Sequence, residues 1–204
     1  DFMLMGTNNT QIKSKKPLIA VCAVRTGCGK SQVSRAIFEI LRKKGLKVAS
    51  IRHPMPYDQD LLMQKVERFA TYEDLNKYKC TIEEREEYEP HIVSGIIIYA
   101  GVDYEAILRE AEKEADIILW DGGNNDLPFF KSDLYITVVD PHRPGDELFY
   151  YPGEANLRAA DLVIINKMDS ADSEDILTVR DNIHEVNPNA TVVDGTSPIF
   201  VSDY

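Results

Sequence analysis

One segment restricts the fold of this chain more than any other, because a loop of small residues there joins an apolar run to a helical pattern. The apolar run covers Leu18 to Val24, and apolar side chains at helical spacing extend from Lys30 to Lys44. The loop between them reads Gly27-Cys28-Gly29-Lys30-Ser31. A buried strand, a glycine loop and a helix in this order predict a loop that binds phosphate through backbone N–H groups and the helix N-terminus.

The polar side chains of this loop suit a nucleoside triphosphate with Mg²⁺. Lys30 is expected to contact the β- and γ-phosphate oxygens, and the Ser31 hydroxyl is expected to ligate Mg²⁺. The predicted nucleotide-binding loop consists of Thr26, Gly27, Cys28, Gly29, Lys30 and Ser31. The alternative is an ordinary glycine turn before a helix, which the strand–loop–helix order disfavours.

The loop departs from the common pattern GxxxxGK[ST], whose first glycine would fall at Val24. It is more similar to the variant loop KGGxGK[ST] of the branch that includes dethiobiotin synthetase, the septum-site ATPases and the nickel-insertion GTPases. Arg25 stands where that branch has its signature lysine, and Thr26 replaces a glycine. The resemblance implies that Arg25 contacts the γ-phosphate, either in its own subunit or across a homodimer. The alternative, an exposed loop cation, stays open.

Apolar runs alternate with helical patterns along the rest of the chain. Helices are predicted at Tyr104–Glu114 and Ser173–Val186, with one or two short helices in Leu61–Tyr78. This alternation predicts an α/β fold, a P-loop NTPase three-layer fold with a mostly parallel sheet covered by helices on both faces. Ligands are then expected at the carboxyl ends of the strands. The further strands are predicted at Leu46–Ile51, Gly95–Ala100, Ile117–Trp120, Leu134–Val139, Leu162–Ile165 and, more weakly, Thr191–Val193.

Asp121 directly follows the apolar run that ends at Trp120 and precedes Gly122 and Gly123. An acid at the carboxyl end of a buried strand is a candidate Walker B residue, which holds the Mg²⁺ shell or a water. The alternative is a strand-end turn, which the Asp-Gly pair favours by itself. A DxxG motif would need glycine at Asn124, so this is not a standard switch loop.

Another predicted strand end carries Asn166, Lys167 and Asp169, which match the NKxD motif of GTPases. In that motif the aspartate accepts two hydrogen bonds from the guanine edge, while the asparagine and the lysine stem shape the base pocket. By resemblance this favours guanine, with a plain turn as the alternative. Thr196-Ser197, after the last predicted strand, is a weaker candidate to complete the base loop.

Two more predicted strand ends carry cations. Arg52 and His53 follow the second strand, and His142 and Arg143 lie in the loop after Leu134–Val139. Cationic side chains at that edge suit an anionic small-molecule substrate beside the nucleotide. Each histidine taken singly is more often a structural residue.

Composition excludes several classes of partner. The chain has 34 acidic and 23 basic residues and a net charge of -11, which would repel a phosphate backbone, so no nucleic acid is expected. The absence of an apolar run of roughly 20 residues and of a signal pattern predicts a cytoplasmic protein without membrane contact. Cys22, Cys28 and Cys80 form neither an even set nor a CxxC pair, so neither disulfides nor a zinc site are expected.

The chain ends suggest a slice of a longer protein. Residues 1–16 are expected to be a linker and the end of a preceding domain, because Asp1–Gly6 resembles the end of a buried strand and residues 7–16 are polar and unpatterned. The P-loop domain is expected at residues 17–204. The acidic run at residues 83–89 is expected on a solvated helix face or loop, with an acidic interaction patch as the alternative.

Longer blocks of sequence resemble the P-loop domain of the archaeal cyclic 2,3-diphosphoglycerate synthetase family, whose relatives are often labelled predicted GTPases. The resemblance implies ATP-driven closure of an intramolecular phosphoanhydride in 2,3-diphosphoglycerate, with Mg²⁺, releasing ADP and phosphate. Family chains are longer, with domains on both sides. The similar blocks are AVRTGCGKS at residues 23–31, RHPMPY at 52–57, RFAT at 68–71, WDGGNND at 120–126, DPHRPG at 140–145 and YPGE at 151–154.

Three functional hypotheses follow from these residues. The first is an NTP-dependent ligase or hydrolase that transfers a phosphoryl group from ATP or GTP to a phosphorylated small molecule held by the cationic loops. The second is a regulatory or chaperone-type GTPase, favoured by the NKxD motif and the acidic surface. The third, a nucleotide-binding module without turnover, is disfavoured because Ser31 and Asp121 make a competent Mg²⁺ pair.

Overall fold

The computed structural model describes residues 2–3, 6–54, 64–123 and 126–198. Its strands are β1 (Ile12–Lys13), β2 (Leu18–Ala23), β3 (Val48–Arg52), β4 (Glu67–Phe69), β5 (Ile97–Ala100), β6 (Ile117–Asp121), β7 (Phe130–Lys131), β8 (Leu134–Val139), β9 (Leu162–Ile165) and β10 (Thr191–Asp194). Its helices are α1 (Thr7–Thr10), α2 (Lys30–Lys43), α3 (Tyr72–Lys77), α4 (Ile82–Val93), α5 (Tyr104–Glu114), α6 (Asp146–Phe149), α7 (Gly153–Ala159) and α8 (Ser173–Val186).

Every strand and helix predicted from a long periodic segment is confirmed. The bounds of α5 and α8 agree with the prediction, and the strands from apolar runs agree within two residues at either end. Several positions singled out from the sequence lie outside the described residues: Asp1, Leu4 and Met5; residues 55–63, with Met55, Pro56 and Tyr57; and Asn124 and Asn125.

The chain forms two compact units. The first unit contains residues 1–20, 34–122 and 128–133, and the second contains residues 21–33, 123–127 and 134–204. Both β2 and α2 contribute residues to each unit, since the chain passes between the units at residues 20–21 and 33–34. The boundary between a linker at residues 1–16 and a domain at 17–204 stays a prediction.

The sheet of the first unit has the strand order β6-β3-β5-β4. β3 is parallel to β5 and β6, and β4 runs antiparallel to β5. The expectation of only short helices in Leu61–Tyr78 was therefore wrong for β4. Phe69 is fully buried there in a core cluster with Leu75, Tyr88 and Ile98, so pairing with β5 and core packing override the charged composition of the segment.

The acidic run at residues 83–89, expected on a solvated helix face or loop, lies within α4. Its solvation is only partial, because Glu84 and Tyr88 are buried. The Glu84 carboxylate accepts a hydrogen bond from the Thr81 N–H at 2.8 Å, and the Thr81 side chain accepts one from the Glu84 N–H. This reciprocal capping satisfies N–H groups at the helix start and explains a buried acid in the run.

The sheet of the second unit has the order β10-β9-β8, with all pairs parallel. Two short helices, α6 and α7, occupy the segment between β8 and β9, where the sequence predicted none. A Cβ atom added at Gly153, the first residue of α7, would lie 1.8 Å from the Val24 carbonyl oxygen. Glycine at this position therefore lets α7 pack directly on the backbone that leads into the glycine loop.

Residues 7–16 differ from the unpatterned linker expected from the sequence. They contain α1 and the short strand β1, which pairs in parallel with β7. The Lys15 N–H also donates to the Glu112 carboxylate on α5 at 2.7 Å. Backbone hydrogen bonds hold this segment in the first unit. The polar side-chain pattern of the segment does not predict them.

Among the described residues, every helix is too short or too polar to cross a membrane.

Candidate functional site

The glycine loop lies in the second unit between the end of β2 and the start of α2, as predicted. Gly27 and Gly29 have φ angles of 89° and 96°, a backbone conformation that residues with a side chain rarely adopt. The N–H groups of Gln32 and Val33 donate to the Gly29 carbonyl at 3.0 and 3.1 Å, which begins the helix. Burial raises the pKa of the Cys28 thiol to about 11, so this thiol is protonated at neutral pH.

The NKxD segment is attached to this loop through two side chains. Asn166 Nδ2 donates to the Cys28 carbonyl at 2.9 Å, and Lys167 Nζ donates to the Gly27 carbonyl at 2.6 Å. A Cβ atom at Gly29 would lie 2.2 Å from Asn166 Nδ2, so glycine is needed for this approach. The structure thus brings together two motifs that lie 138 residues apart along the chain.

The segment after β10 meets the same motif. The Ser197 N–H donates to Asp169 Oδ1 at 2.9 Å, and the Ser197 hydroxyl lies 3.0 Å from Asn166 Oδ1. Gly195 passes close to Asn166, since a Cβ atom there would lie 3.2 Å from Asn166 Oδ1. The weak sequence signal at Thr196-Ser197 therefore marks a segment that holds the NKxD side chains in position.

Arg25 is buried, with 8% of its surface exposed, so the alternative of an exposed loop cation is wrong. Its NH2 atom lies 2.9 Å from Asp140 Oδ2, and its Nε atom lies 2.9 Å from Asp146 Oδ2. Its NH1 atom donates to the Thr26 carbonyl at 2.7 Å. Two carboxylates from the segment after β8 hold the guanidinium, because a buried cation requires charged partners.

Asp140 joins the two predicted motifs and was not predicted as a site residue. Its Oδ2 atom accepts from Lys167 Nζ at 2.6 Å as well as from Arg25, and its Oδ1 atom accepts from the His142 N–H at 3.0 Å. Burial raises the pKa of Asp140, but the hydrogen bonds from Lys167 and His142 and the charges of Lys167 and Arg25 outweigh it, so the pKa is lowered. The sequence signal was an acid at a strand end, as at Asp121.

His142 and Arg143, predicted to bind an anionic substrate, are exposed in the second unit. His142 Nε2 lies 2.9 Å from the Ser170 hydroxyl. The Arg143 N–H donates to the Asp140 carbonyl at 3.3 Å, so a turn after β8 presents both side chains at the surface. Their role in binding a substrate stays a prediction.

In the first unit, Asp121 ends β6 with its side chain fully buried. The Ser34 hydroxyl donates to Asp121 Oδ1 at 2.9 Å, and His91 Nε2 lies 3.1 Å from Oδ2. Arg52 NH1 lies 3.3 Å from the same Oδ2 atom, because the sheet register pairs Arg52 of β3 with Asp121. Ser34 lies on α2, three residues after Ser31.

Arg52 is buried, with 7% of its surface exposed, and is bound by α4. Its guanidinium forms an ion pair with the Glu87 carboxylate and donates to the Glu87 carbonyl at 3.1 Å. Burial lowers the pKa of His91 more than the Asp121 hydrogen bond raises it, and the Arg52 charge lowers it further, so the imidazole is neutral. Binding of an anionic substrate by Arg52 stays a prediction. It requires the Arg52 guanidinium to contact the substrate in addition to the carboxylates of Glu87 and Asp121.

His53, the residue directly after β3, meets other partners than Arg52. Its Nδ1 atom lies 3.1 Å from the Tyr104 hydroxyl, and its ring centroid lies 4.8 Å from that of Trp120 and 5.4 Å from that of Phe129. The sequence treated Arg52 and His53 as one cationic pair, whereas His53 belongs to an aromatic cluster. Its predicted substrate contact stays untested.

The residue types at Ser31 and Asp121 fit Mg²⁺. This ion prefers oxygen ligands and is usually bound by one or two protein groups together with substrate phosphates. Asp121 supplies a carboxylate whose orientation is held by Ser34, His91 and Arg52. Within the described ranges, no group of three or more His, Cys, Asp or Glu side chains could hold a metal ion.

A glycine loop between a buried strand and a helix, with Lys30 and Ser31 at the helix start, on a mostly parallel sheet, defines a P-loop NTPase. The chain belongs to the family described as cyclic 2,3-diphosphoglycerate synthetase, P-loop domain, whose model matches residues 87–196. The family resemblance seen in the sequence is thereby confirmed.

Two curated relatives differ in how far they match. The arginine synthetase ArcE of Thermococcus kodakarensis is 66% identical over 201 residues, covering 98% of this chain and 45% of that protein. The cyclic 2,3-diphosphoglycerate synthetase of Methanosphaera stadtmanae is 32% identical over 103 residues, covering 46% of this chain and 22% of that protein. The chain therefore spans less than half the length of either relative.

Among solved structures, the hydrogenase maturation factor HypB of Archaeoglobus fulgidus has a similar fold. The TM-score is 0.55 at 16% sequence identity, with 89% of this chain and 81% of that chain covered. At this identity the likeness supports the fold and not the reaction.

Proposed function

We propose that this chain is the nucleotide-cleaving domain of a synthetase whose product is arginine. The observation that carries the proposal is the 66% identity to an arginine synthetase across 98% of the chain. The similarity to a cyclic 2,3-diphosphoglycerate synthetase, 32% over 46% of the chain, is weaker and shorter. The proposal concerns the whole protein, since this chain spans 45% of the arginine synthetase.

In this proposal the second unit binds ATP or GTP. The backbone of Gly27–Gly29 surrounds the phosphates, Lys30 contacts the β- and γ-phosphate oxygens, and Asn166–Asp169 with Ser197 form the base pocket. The hydrogen bonds from Asn166 and Lys167 to the loop carbonyls support a single site built from both motifs. Arg25 contacts the γ-phosphate once the phosphate charge competes with Asp140 and Asp146 for its guanidinium.

Ser31 and Asp121 would hold Mg²⁺, which stabilises the charge that develops on the phosphates when bound. The residue types support this pairing, because Mg²⁺ prefers hydroxyl and carboxylate oxygens. The role of this chain is to orient the γ-phosphoryl group toward an oxygen of the second substrate. Transfer to that oxygen releases nucleoside diphosphate and makes a phosphate leaving group. Attack by the incoming nucleophile then breaks the bond to that oxygen and releases phosphate.

Cyclic 2,3-diphosphoglycerate synthesis is the second candidate. The family model that matches residues 87–196 favours it, as do the exposed side chains of His142 and Arg143, which suit a phosphorylated substrate. Both candidates use the same first step, because each needs an oxygen of the substrate to become a leaving group. They differ in the group that the second site must recognise.

The reverse reaction separates these candidates without knowledge of the precursors. We expect the full-length protein to form nucleoside triphosphate from its diphosphate, phosphate and arginine, and to do so far less with cyclic 2,3-diphosphoglycerate. The opposite preference would favour the second candidate. Nucleotide hydrolysis that neither compound affects and that only a protein partner stimulates would instead favour a regulatory GTPase.

Base preference is tested separately at Asp169. If its carboxylate accepts hydrogen bonds from guanine, Asp169→Asn should weaken the binding of GTP by roughly 2–4 kcal/mol and have little effect on the binding of ATP. This is the scale on which a site built for specific hydrogen bonds rejects a mismatched partner. Asp181→Asn, an exposed change of the same charge on α8, is the matched control. An equal loss for ATP and GTP would mean that Asn166–Asp169 is only a turn.

A further inference from the structure

Four polar side chains form a buried cluster in the first unit, and its centre is the carboxylate of Asp121. Ser34 and His91 are fully buried, and Arg52 and Asp121 are 7% and 1% exposed. Both carboxylate oxygens have donors, with Ser34 at Oδ1 and His91 and Arg52 at Oδ2. Donors on both oxygens fix the plane of the carboxylate, which a single contact would leave able to rotate.

The hydrogen-bond partners of His91 define its tautomer. Arg52 NH1 lies 3.5 Å from Nδ1, and a guanidinium can only donate, so Nδ1 is the acceptor. Nε2 lies 3.1 Å from the Asp121 carboxylate, which only accepts when ionised, so Nε2 carries the proton. His91 therefore stands between a fixed cation and a fixed anion in one defined state.

Helix α4 holds this arrangement from one face. Glu87 and His91 are four residues apart, so their side chains are neighbours on the helix surface. Glu87 binds Arg52 through both its carboxylate and its carbonyl, while His91 reaches Asp121. The register of β3 and β6 fixes the other side, because it pairs Arg52 with Asp121 directly.

We propose that His91 is a positioning residue: its Nε2–H, together with Arg52, holds the Asp121 carboxylate in the orientation in which it serves Mg²⁺. The inference rests on the proposed function, which assigns Asp121 to the metal. Groups that orient a metal-binding side chain commonly change metal affinity by about 10–100-fold when removed. A role confined to satisfying a buried carboxylate would change stability and leave metal affinity alone.

The test measures Mn²⁺ and Mg²⁺ affinity of the full-length protein saturated with a non-hydrolysable triphosphate analogue, by electron paramagnetic resonance and calorimetry. His91→Leu should weaken metal binding about 10–100-fold. His91→Gln, whose amide N–H can still donate, should recover most of this loss. Ile92→Ala serves as the control, because Ile92 is a buried core residue next in the same helix.

Glu87→Gln covers the case in which His91→Leu does not fold, since the Glu87 side chain is 41% exposed and its removal leaves the core intact. It loosens Arg52 and should weaken metal binding several-fold. If His91→Leu folds, a metal affinity no weaker than that of Ile92→Ala would overturn the inference alone. If it does not fold, an unchanged metal affinity in Glu87→Gln would do so. A wild-type protein that binds the analogue without any metal dependence would overturn the proposed function and the inference with it.

Discussion

Asp121 and Asp140 each stand at the carboxyl end of a buried parallel strand, but their partners differ in kind. Asp140 accepts from two cations, Arg25 at the glycine loop and Lys167 in the NKxD segment. Among the described residues, Asp121 accepts from the cation Arg52, the neutral imidazole of His91 and the hydroxyl of Ser34. The same residue type at the same kind of position thus acts in one unit as a bridge between motifs and in the other as an oriented acid.

The difference in partners implies a difference in response to nucleotide. A triphosphate brings negative charge to Arg25 and can replace Asp140 as its partner. The partners of Asp121, in contrast, are held by the register of β3 and β6, by α4 and by α2. Asp140 should therefore matter most without nucleotide, and Asp121 most when metal and nucleotide are bound.

The largest effect is expected at Lys30, which serves as the reference for both aspartates. Lys30→Ala should lower nucleotide turnover at least about tenfold, because it removes charge stabilisation from the transition state. Folding should be retained, since Lys30 is not a core residue. Steady-state hydrolysis and a thermal melt measure the two quantities, with Lys43→Ala at the exposed end of α2 as control. Unchanged turnover would remove the assignment of the phosphate site.

The next largest effect is expected at Asp140, whose contribution to stability should be greatest in the absence of nucleotide. Asp140→Asn should lower the free energy of unfolding by about 1.5–3 kcal/mol, the scale of a hydrogen bond to a charged group. It should also enlarge the stabilisation by nucleotide, because phosphate can neutralise the unmatched Arg25 and Lys167. Urea unfolding with and without nucleotide measures both quantities.

Asp146→Asn is the matched control for this prediction. Asp146 pairs with Arg25 but makes no contact with Lys167 among the described interactions, and its side chain is 34% exposed. The variant should therefore lose less stability than Asp140→Asn. Equal losses in the two variants would mean that Asp140 is simply a second partner of Arg25 and not a bridge between the motifs.

Acid should cancel the difference between wild type and Asp140→Asn. The pKa of Asp140 is lowered in the folded state, so its contribution to stability is fully present above the unfolded pKa of about 3.9 and is lost as the pH falls through the folded pKa. Urea midpoints of the two proteins should differ at pH 7 and begin to converge as the pH falls below about 4, because the lowered pKa of Asp140 places the loss of its contribution on the acid side of the unfolded value. A difference that stays constant from pH 7 down to the lowest pH at which both proteins fold would mean that the substitution acts through packing.

The smallest effect is expected at the exposed cation. Arg143→Ala should raise the KM for an anionic second substrate by a few-fold while nucleotide affinity stays nearly constant, because exposed ion pairs contribute only about 0.2–1 kcal/mol. Arg158→Ala, an exposed change on α7, is the control. A larger effect on nucleotide affinity than on the second substrate would assign Arg143 to the nucleotide site instead.

The sequence by itself determined the class of fold and the positions of the phosphate and base motifs. An apolar run, two glycines and an amphipathic helix specify a strand–loop–helix unit because each of these signals is local. The same holds for α5 and α8, whose bounds follow from helical spacing. Asn166 and Lys167 were found by their spacing, although their bonds to Cys28 and Gly27 were not.

Tertiary structure alone decided which partners these residues meet. The burial of Arg25 by Asp140 and Asp146, the pairing of Arg52 with Asp121 and the approach of His91 all join segments separated by 30 residues or more. Such contacts depend on strand register and helix packing, which single-sequence periodicity does not encode. A charge in the sequence therefore identified a strand end, but only the fold determined whether that charge faces a ligand or a buried counter-charge.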